Sequence, residues 1–122
     1  MRADPQPRRG EVWVVDFNPT RGAEIYKERP AVVISSDGVG VLPVKLVVPL
    51  TEWQEKFGSN IWHVKVEAPA GSGLDKVSAA DTMQVVCASI ERFKRRLGRL
   101  PAELVDDIAA AVSHLGLDTG AL

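Results

Sequence analysis

The stretch EVWVVDFNPTRGAEIYKERPAVVIS, residues 11–35, decides the fold of this chain. Its first run alternates with a period of two, with Val12, Val14 and Asp16 on one face and Trp13, Val15 and Phe17 on the other. β-Branched and aromatic residues in this alternation are typical of a half-buried strand. The second run, residues 31–34, is apolar and β-branched. The stretch therefore predicts two strands joined by a polar loop.

The loop between the two predicted strands concentrates charge. Asn18 and Pro19 end the first strand, and Gly22 permits a sharp turn. Because Arg29 precedes Pro30, its backbone is restricted to extended geometry, which sets where the guanidinium starts. A loop held by two rigid strands is a common place for a functional site. The loop's charged residues are Arg21, Glu24, Lys27, Glu28 and Arg29, and Arg29 could equally be a surface arginine paired with Glu24 or Glu28.

Length and composition predict a single soluble globular domain. The chain has 122 residues, 45% hydrophobic and 25% charged, which is ordinary for one folded unit. We expect residues 1–9 to form a flexible N-terminal arm and residues 10–122 to form the domain. No apolar run approaches the roughly 20 residues of a membrane helix, and the charged start is followed by no apolar signal segment. These features favour a cytoplasmic protein, with the single Cys87 buried and inert.

The rest of the chain predicts further short strands and one helix. Alternation predicts strands over residues 44–50 and 61–67, and a long run over 76–88 with a bend near 79–82. Residues 89–97 fit a strand or a helix, and Gly98 and Pro101 favour the strand. From Pro101 onward one helical face is apolar, formed by Leu104, Val105, Ile108, Val112 and Leu115. The pattern predicts a mainly β fold, a small barrel with a C-terminal helix.

The net charge of the whole molecule does not favour a polyanionic partner, but the local charge of one basic segment does. The formal net charge is −1, so any affinity for nucleic acid must come from local clusters. One such cluster is formed by Arg92, Lys94, Arg95, Arg96 and Arg99. It is either a solvated strand edge that deters aggregation or a patch facing phosphates or an acidic partner.

The sequence predicts no metal or cofactor site. His63 and His114 lie on different elements, and one cysteine provides no ligand pair. His63 on an alternating strand favours a hydrogen-bonded structural histidine over a catalytic one. His114 in the last helical turn most simply stabilises the helix end.

The opening stretch resembles the signature of the MazF/PemK family of toxin endoribonucleases. Ten positions are in register with that signature: Gly10, Trp13, Asp16, Phe17, Pro19, Gly22, Glu24, Arg29, Pro30 and Ser35. The likeness continues through VVPLT, which ends at Thr51, through IWHVKV, and through the stretch after Gly73 with Ser78, Gln84 and Leu97. It covers about residues 9–117, and the departures from the pattern are Cys87-Ala88-Ser89 and the basic FKRR run.

The resemblance implies an SH3-like barrel (CcdB/PemK-like) with a C-terminal helix that works as a homodimer. The implied activity is metal-free, cofactor-free cleavage of single-stranded RNA, chiefly mRNA, restrained by a MazE-like antitoxin. The family's loop arginine and strand-end threonine match Arg29 and Thr51, with Glu24 as proton acceptor or as support for Arg29. The candidate substrate-binding residues are Phe17, Asn18, Lys27, Trp53 and Gln84, although Phe17 and Trp53 could equally be core or interface residues.

The implied chemistry is consistent with the residue types. RNA carries its own nucleophile, the 2′-hydroxyl, so a protein has to orient it and stabilise charge on phosphorus. Arg29 can donate two hydrogen bonds to phosphate oxygens but is a poor proton shuttle. The expected products are a 2′,3′-cyclic phosphate and a 5′-hydroxyl. Two alternatives remain open: a toxin of the same fold that binds a protein such as gyrase, and a nucleic-acid-binding barrel without turnover.

Overall fold

The structure is a computed structural model that describes residues 6–18, 22, 27–39 and 43–117. In this part of the chain seven strands precede one helix. The strands are β1 (Glu11–Asp16), β2 (Glu28–Val33), β3 (Val44–Glu52), β4 (His63–Val66), β5 (Ser78–Asp81), β6 (Val86–Ser89) and β7 (Phe93–Arg99), and the helix is α1 (Ala102–Leu117). The architecture is mainly β with a C-terminal helix, as the sequence predicts.

Two ambiguous stretches of sequence resolve into strands separated by short 3-10 helices. The bend expected near residues 79–82 is the 3-10 helix Thr82–Gln84, which begins where the Asp81 carboxylate accepts a hydrogen bond from Met83 N. The segment that fits strand or helix contains both, the 3-10 helix Ile90–Arg92 and then β7. Ser89 starts this second turn by accepting a hydrogen bond from Glu91 N. Short polar side chains that compete for backbone donors therefore divide both runs.

All strand pairs are antiparallel, in the order β4-β5-β3-β2-β1-β7, with β6 also paired to β3. β3 is the longest strand and has β2 on one side, with β6 and then β5 along the other. Pro49 is unusual in this central strand, because proline has no backbone N–H to donate to a neighbouring strand. Pro49 is tolerated because, along β3, the pairing with β6 stops at Val47 and the pairing with β5 starts at Leu50, so Pro49 lies between these two neighbours.

Alternate residues of the strands build two cores on the two faces of the sheet. On the first face the buried residues include Val12, Val32, Val48, Leu50 and Ala80, and α1 packs there through Val105 and Ile108. The second face has its own cluster, which includes Val15, Ala31, Val33, Val47 and Phe93. Arg29 and Thr51 share the odd-numbered face of β2 and β3 with this second core.

The described part of the expected N-terminal arm, residues 6–9, is attached to the domain. Pro7 is fully buried, Gly10 N donates to Val33 O, and Arg9 binds Asp37 through its backbone and Asp106 through its guanidinium. The prediction of a buried Cys87 is wrong, because its side chain is exposed on β6, opposite the exposed Leu46. No helix in the described ranges has the length and apolar character needed to cross a membrane.

Candidate active site

The strand register brings Arg29 and Thr51 to neighbouring strand ends. Arg29 pairs with Val15 of β1, and two residues later Ala31 pairs with Pro49 of β3. Continuing the β2–β3 register by two residues puts Arg29 opposite Thr51. Residues opposite one another in an antiparallel pair point to the same face, with Cβ atoms about 5 Å apart. The two side chains therefore leave the same face of the sheet from adjacent strands.

The row across the sheet continues on the other side of Thr51. Thr51 pairs with Ala79 of β5, and Ala79 pairs with Lys65 of β4. Ala79 is fully buried, whereas the Lys65 side chain is 45% exposed. A single row thus has Arg29 and Thr51 at one end and a second cation, Lys65, at the other.

Two buried hydrogen-bond donors on this side of the molecule lack acceptors. Within the described part of the chain, Arg29 Nε and Trp53 Nε1 are the buried side-chain nitrogens with no hydrogen-bond partner. Trp53 follows Thr51 by two residues, and Trp53 N donates to Val77 O. A buried donor without an acceptor is costly, of order 1–3 kcal/mol. Such groups persist where a ligand supplies the missing acceptor, and a phosphate oxygen is one.

An aromatic wall stands next to Thr51, formed by Trp53, Phe57 and His63. The Trp53 and Phe57 rings meet edge to face at 5.9 Å between centroids, and the Phe57 and His63 rings stack at 3.9 Å. Phe57 comes from the 3-10 helix Glu55–Ser59, which follows β3. Lys65 Nζ lies 5.1 Å from the centroid of the Trp53 ring, within the range of a cation–π contact.

The side chain of His63 is buried and contacts Asp81, Asn60 and Phe57. This agrees with the prediction of a hydrogen-bonded structural histidine. Its side chain is 8% exposed, and its Nε2 lies 3.8 Å from an Asp81 carboxylate oxygen. Its Nδ1 lies 3.1 Å from the Asn60 amide nitrogen. These contacts fasten the 3-10 helix to β4 and β5, which positions the aromatic wall. His114 lies on the other side of the sheet, near the end of α1, where it lines a cavity of about 320 Å³ with Ile61 and Asp107.

The base of the β1–β2 loop is closed by polar contacts among the candidate residues. Asn18 Oδ1 accepts a hydrogen bond from Lys27 N at 3.1 Å, and Phe17 N donates to Lys27 O. Lys27 adopts a left-handed backbone, with φ 69°. Arg92 donates to the carbonyls of Asp16, at 2.9 Å, and Asn18. Glu24, the candidate proton acceptor, lies outside the described residues.

The remaining candidates occupy different environments. Phe17 is 8% exposed and belongs to the second core. Of the two predicted roles, base stacking or core packing, this structure shows core packing. Trp53 is half-buried in the aromatic wall. Gln84 is half-buried and ends the 3-10 helix Thr82–Gln84.

The basic segment of the sequence divides into bound and unbound cations. Arg96 Nε lies 2.9 Å from Glu11 Oε2 and Arg99 lies 3.7 Å from the same atom. Burial would raise the pKa of Glu11, but hydrogen bonds from Arg8 N, the Trp13 indole and Arg96 outweigh it and hold that pKa below its usual 4.5. Of the described side chains, Lys94 and Arg95 are exposed cations of the segment with no such contact.

Sequence reasoning missed Lys65 and the role of Arg92. Lys65 stands in an ordinary alternating strand, and only the pairing of β3, β5 and β4 puts it in the row of Thr51. Arg92 was part of the basic cluster, and no sequence signal distinguished it from its neighbours. In the described ranges no three His, Cys, Asp or Glu side chains are grouped to hold a metal ion.

Comparison with known families identifies the class of this protein, a toxin of a type II toxin–antitoxin system. A family model described as PemK-like, MazF-like toxin of type II toxin-antitoxin system matches residues 8–115. The chain belongs to this family.

Individual relatives agree with the family assignment. The chain is 36% identical to Endoribonuclease MazF9 of Mycobacterium tuberculosis over 117 residues, covering 90% of this chain and 97% of the relative. Its structure is similar to that of MazF from Deinococcus radiodurans, with a TM-score of 0.72, 22% identity and coverage of 92% and 97%. The Mycobacterium tuberculosis toxin MazF-mt6 is similar at a TM-score of 0.68, with 20% identity and coverage of 88% and 98%. These likenesses confirm the predicted fold class.

Proposed function

We propose that this toxin endoribonuclease cleaves single-stranded RNA by internal attack of a 2′-hydroxyl at a phosphate bound between Arg29 and Thr51. The observation that carries the proposal is the β1–β2–β3 register, which puts the two side chains on one face at adjacent strand ends. The buried, unpartnered Arg29 Nε supports it, because a phosphate oxygen would supply its acceptor. The proposed products are a 2′,3′-cyclic phosphate and a 5′-hydroxyl.

Each residue has a defined role in this proposal. Arg29 stabilises the charge that develops on the phosphate oxygens, because a guanidinium is permanently charged and can donate two parallel hydrogen bonds. The Thr51 hydroxyl donates to the same phosphate and holds it for in-line attack. Glu24 accepts the 2′-hydroxyl proton or supports Arg29. Trp53 and Gln84 face the flanking bases, and Asn18 and Lys27 hold the loop beside the backbone.

An end-labelled single-stranded RNA, incubated with the protein and EDTA, tests the activity directly. Discrete cuts support the nuclease. An RNA that is bound but intact supports the non-catalytic binding alternative, and no interaction supports the protein-binding alternative. A 2′-deoxy substitution at the scissile nucleotide should permit binding and abolish cleavage, because the nucleophile is gone. Cleavage of that analogue would exclude internal attack.

Two pairs of variants separate chemistry from folding. Thr51→Val removes the hydroxyl while keeping the branched shape, and Thr51→Ser keeps the hydroxyl, so only Thr51→Val should lose activity. Arg29→Ala should cost about 100-fold or more in cleavage rate, the typical effect of removing one donor to a developing oxyanion. Arg29→Lys keeps the charge but not the planar fork, so it should recover only part of the rate. Full activity of Thr51→Val or Arg29→Ala would remove that residue from the mechanism.

The proposed partners are a second copy of this chain and an acidic, MazE-like antitoxin. A structure similar to this chain, at a TM-score of 0.68 and 17% identity, is described as an endoribonuclease from Mycobacterial species in complex with its cognate antitoxin. The exposed cations Lys94 and Arg95, together with Lys27 at the loop base, are suited to an acidic segment. The cytoplasm, where mRNA is translated, is the proposed compartment. Analytical ultracentrifugation with and without the antitoxin tests both assemblies.

A further inference from the structure

We infer that Lys65 forms a second phosphate subsite, which contacts an RNA phosphate one or two nucleotides away from the scissile one. The inference rests on the proposed function and extends it by giving the direction of the RNA strand. The strand would run across the sheet, perpendicular to the β-strands, from Arg29 and Thr51 toward Lys65.

The strand register sets the distance between the two subsites. Thr51, Ala79 and Lys65 are consecutive partners on β3, β5 and β4. Neighbouring strands lie about 4.8 Å apart, so the Cα atoms of Thr51 and Lys65 are about 10 Å apart. One or two nucleotides of an extended single strand can span this distance. The residue between them is an alanine, whose small side chain is fully buried.

The surroundings of Lys65 leave its charge available to a ligand. Its side chain is 45% exposed, and its ion-pair partner among the described residues is Glu67, at 3.8 Å and 74% exposed. A pair this exposed is weak, of order 1 kcal/mol or less, and does not compete strongly with a phosphate. The ammonium group also lies 5.1 Å from the centroid of the Trp53 ring. This contact places the ammonium group beside the aromatic wall.

The neighbouring groups favour a nucleic acid over an acidic peptide at this subsite. A basic track combined with an aromatic side chain is the pattern by which proteins bind single-stranded nucleic acid. Lys65 and Trp53 supply this combination next to the proposed scissile phosphate. The basic segment on β7, with Lys94 and Arg95, has no such aromatic partner among the described contacts.

The test measures binding of an RNA cut by the wild-type protein, made uncleavable by a 2′-deoxy group at the scissile nucleotide. Lys65→Gln should weaken binding about fivefold at low salt. It should also reduce the slope of log affinity against log salt by about 0.7, the amount for one phosphate contact on a single strand. Lys65→Arg should restore both quantities. Glu67→Gln, which removes the competing carboxylate, should strengthen binding.

Neutral methylphosphonate linkages, placed one at a time beside the scissile position, locate the contact. In the wild type, one linkage within two nucleotides should weaken binding, and in Lys65→Gln that linkage should have no effect. Arg8→Gln is the control, because it removes the same charge near Asp37, beyond the opposite end of β2 from Arg29. Thermal unfolding checks that each variant is folded.

Several results would overturn the inference. They are an unchanged salt slope in Lys65→Gln, a methylphosphonate effect that persists in that variant, or an equal loss in Arg8→Gln. An effect of Lys65→Gln on antitoxin binding alone would assign the residue to the protein partner instead. If the wild type cuts RNA normally while these signatures are absent, only the subsite fails. If the wild type neither binds nor cuts RNA, the proposed function fails with it.

Discussion

Replacing Glu11 with glutamine should destabilise the protein through one buried polar cluster. Glu11 is 8% exposed at the start of β1. Its Oε1 accepts hydrogen bonds from Arg8 N at 2.8 Å and from the Trp13 indole at 3.0 Å, and its Oε2 accepts from Arg96 Nε at 2.9 Å. The cluster joins the N-terminal segment, β1 and β7. Breaking it should therefore loosen the edge of the sheet.

The size of the effect follows from these contacts. The Glu11→Gln amide keeps one oxygen for Arg8 N and Trp13, but its NH₂ group then faces the Arg96 donor. One charge-assisted hydrogen bond, typically about 1.5–3 kcal/mol, is lost and two others become neutral. Arg96 and Arg99 are 48% and 50% exposed, so solvent screens part of the loss. We expect a net destabilisation of about 2 kcal/mol, or about 8 °C in melting temperature for a chain of this length.

The pH dependence provides an independent check of the same reasoning. The folded pKa of Glu11 lies below its usual 4.5, so its contribution is fully present above that value and is lost as the pH falls through the folded pKa. The glutamine variant has no group to titrate at this position. The difference in stability between wild type and Glu11→Gln should therefore be constant near neutral pH and should shrink below about 4.5.

The assay is thermal and urea unfolding followed by circular dichroism, at a fixed protein concentration because a homodimer is proposed. A double-mutant cycle with Arg96→Gln isolates the ion pair. Glu67→Gln is the matched control, because that carboxylate is 74% exposed and should leave the melting temperature unchanged. An unchanged melting temperature in Glu11→Gln, or a stability difference that does not shrink in acid, would refute the reasoning.

Three further predictions concern other parts of the molecule. Gly73→Ala should lower the free energy of unfolding by about 3 kcal/mol or more, because φ at this position is +75° and the new Cβ would lie 2.2 Å from a backbone oxygen of β7. Gly58→Ala is the control in the same unfolding assay, and it should be tolerated because its new Cβ would have no atom within 4 Å. Arg92→Gln removes two hydrogen bonds to backbone carbonyls at the base of the β1–β2 loop. Limited proteolysis should therefore cleave the β1–β2 loop faster in this variant than in the wild type. An unchanged cleavage pattern would contradict the role of Arg92 in holding the loop. Arg95→Glu should weaken binding of the proposed acidic antitoxin while leaving the melting temperature unchanged. Arg96→Glu should lower both the antitoxin affinity and the melting temperature, because it also breaks the ion pair with Glu11. Calorimetry measures the affinity, and thermal unfolding measures the stability.

Local patterns in the sequence are sufficient to predict much of the secondary structure of this protein. Alternation in residues 11–17 predicted β1, and apolar spacing after Pro101 predicted α1, because hydrophobic periods of two and 3.6 are local properties of a chain. The family resemblance depends on short sequence motifs, and it identifies Arg29 and Thr51 without reference to strand pairing.

Other features depended on contacts between distant segments. The exposure of Cys87 and the burial of Phe17 followed from which face of each strand is covered, and adjacent apolar letters do not contain that information. The division of the basic segment also depended on tertiary contacts, since Arg96 meets Glu11 across 85 residues and Arg92 meets Asp16 across 76.

The site shows the same division between sequence and tertiary structure. The residue types at positions 29 and 51 and the restricted backbone before Pro30 were determined by the sequence alone. That Arg29, Thr51 and Lys65 share one row was decided only by the pairing of β2, β3, β5 and β4. Because register is a property of two strands together, a shift by one residue would have turned each of these side chains to the opposite face.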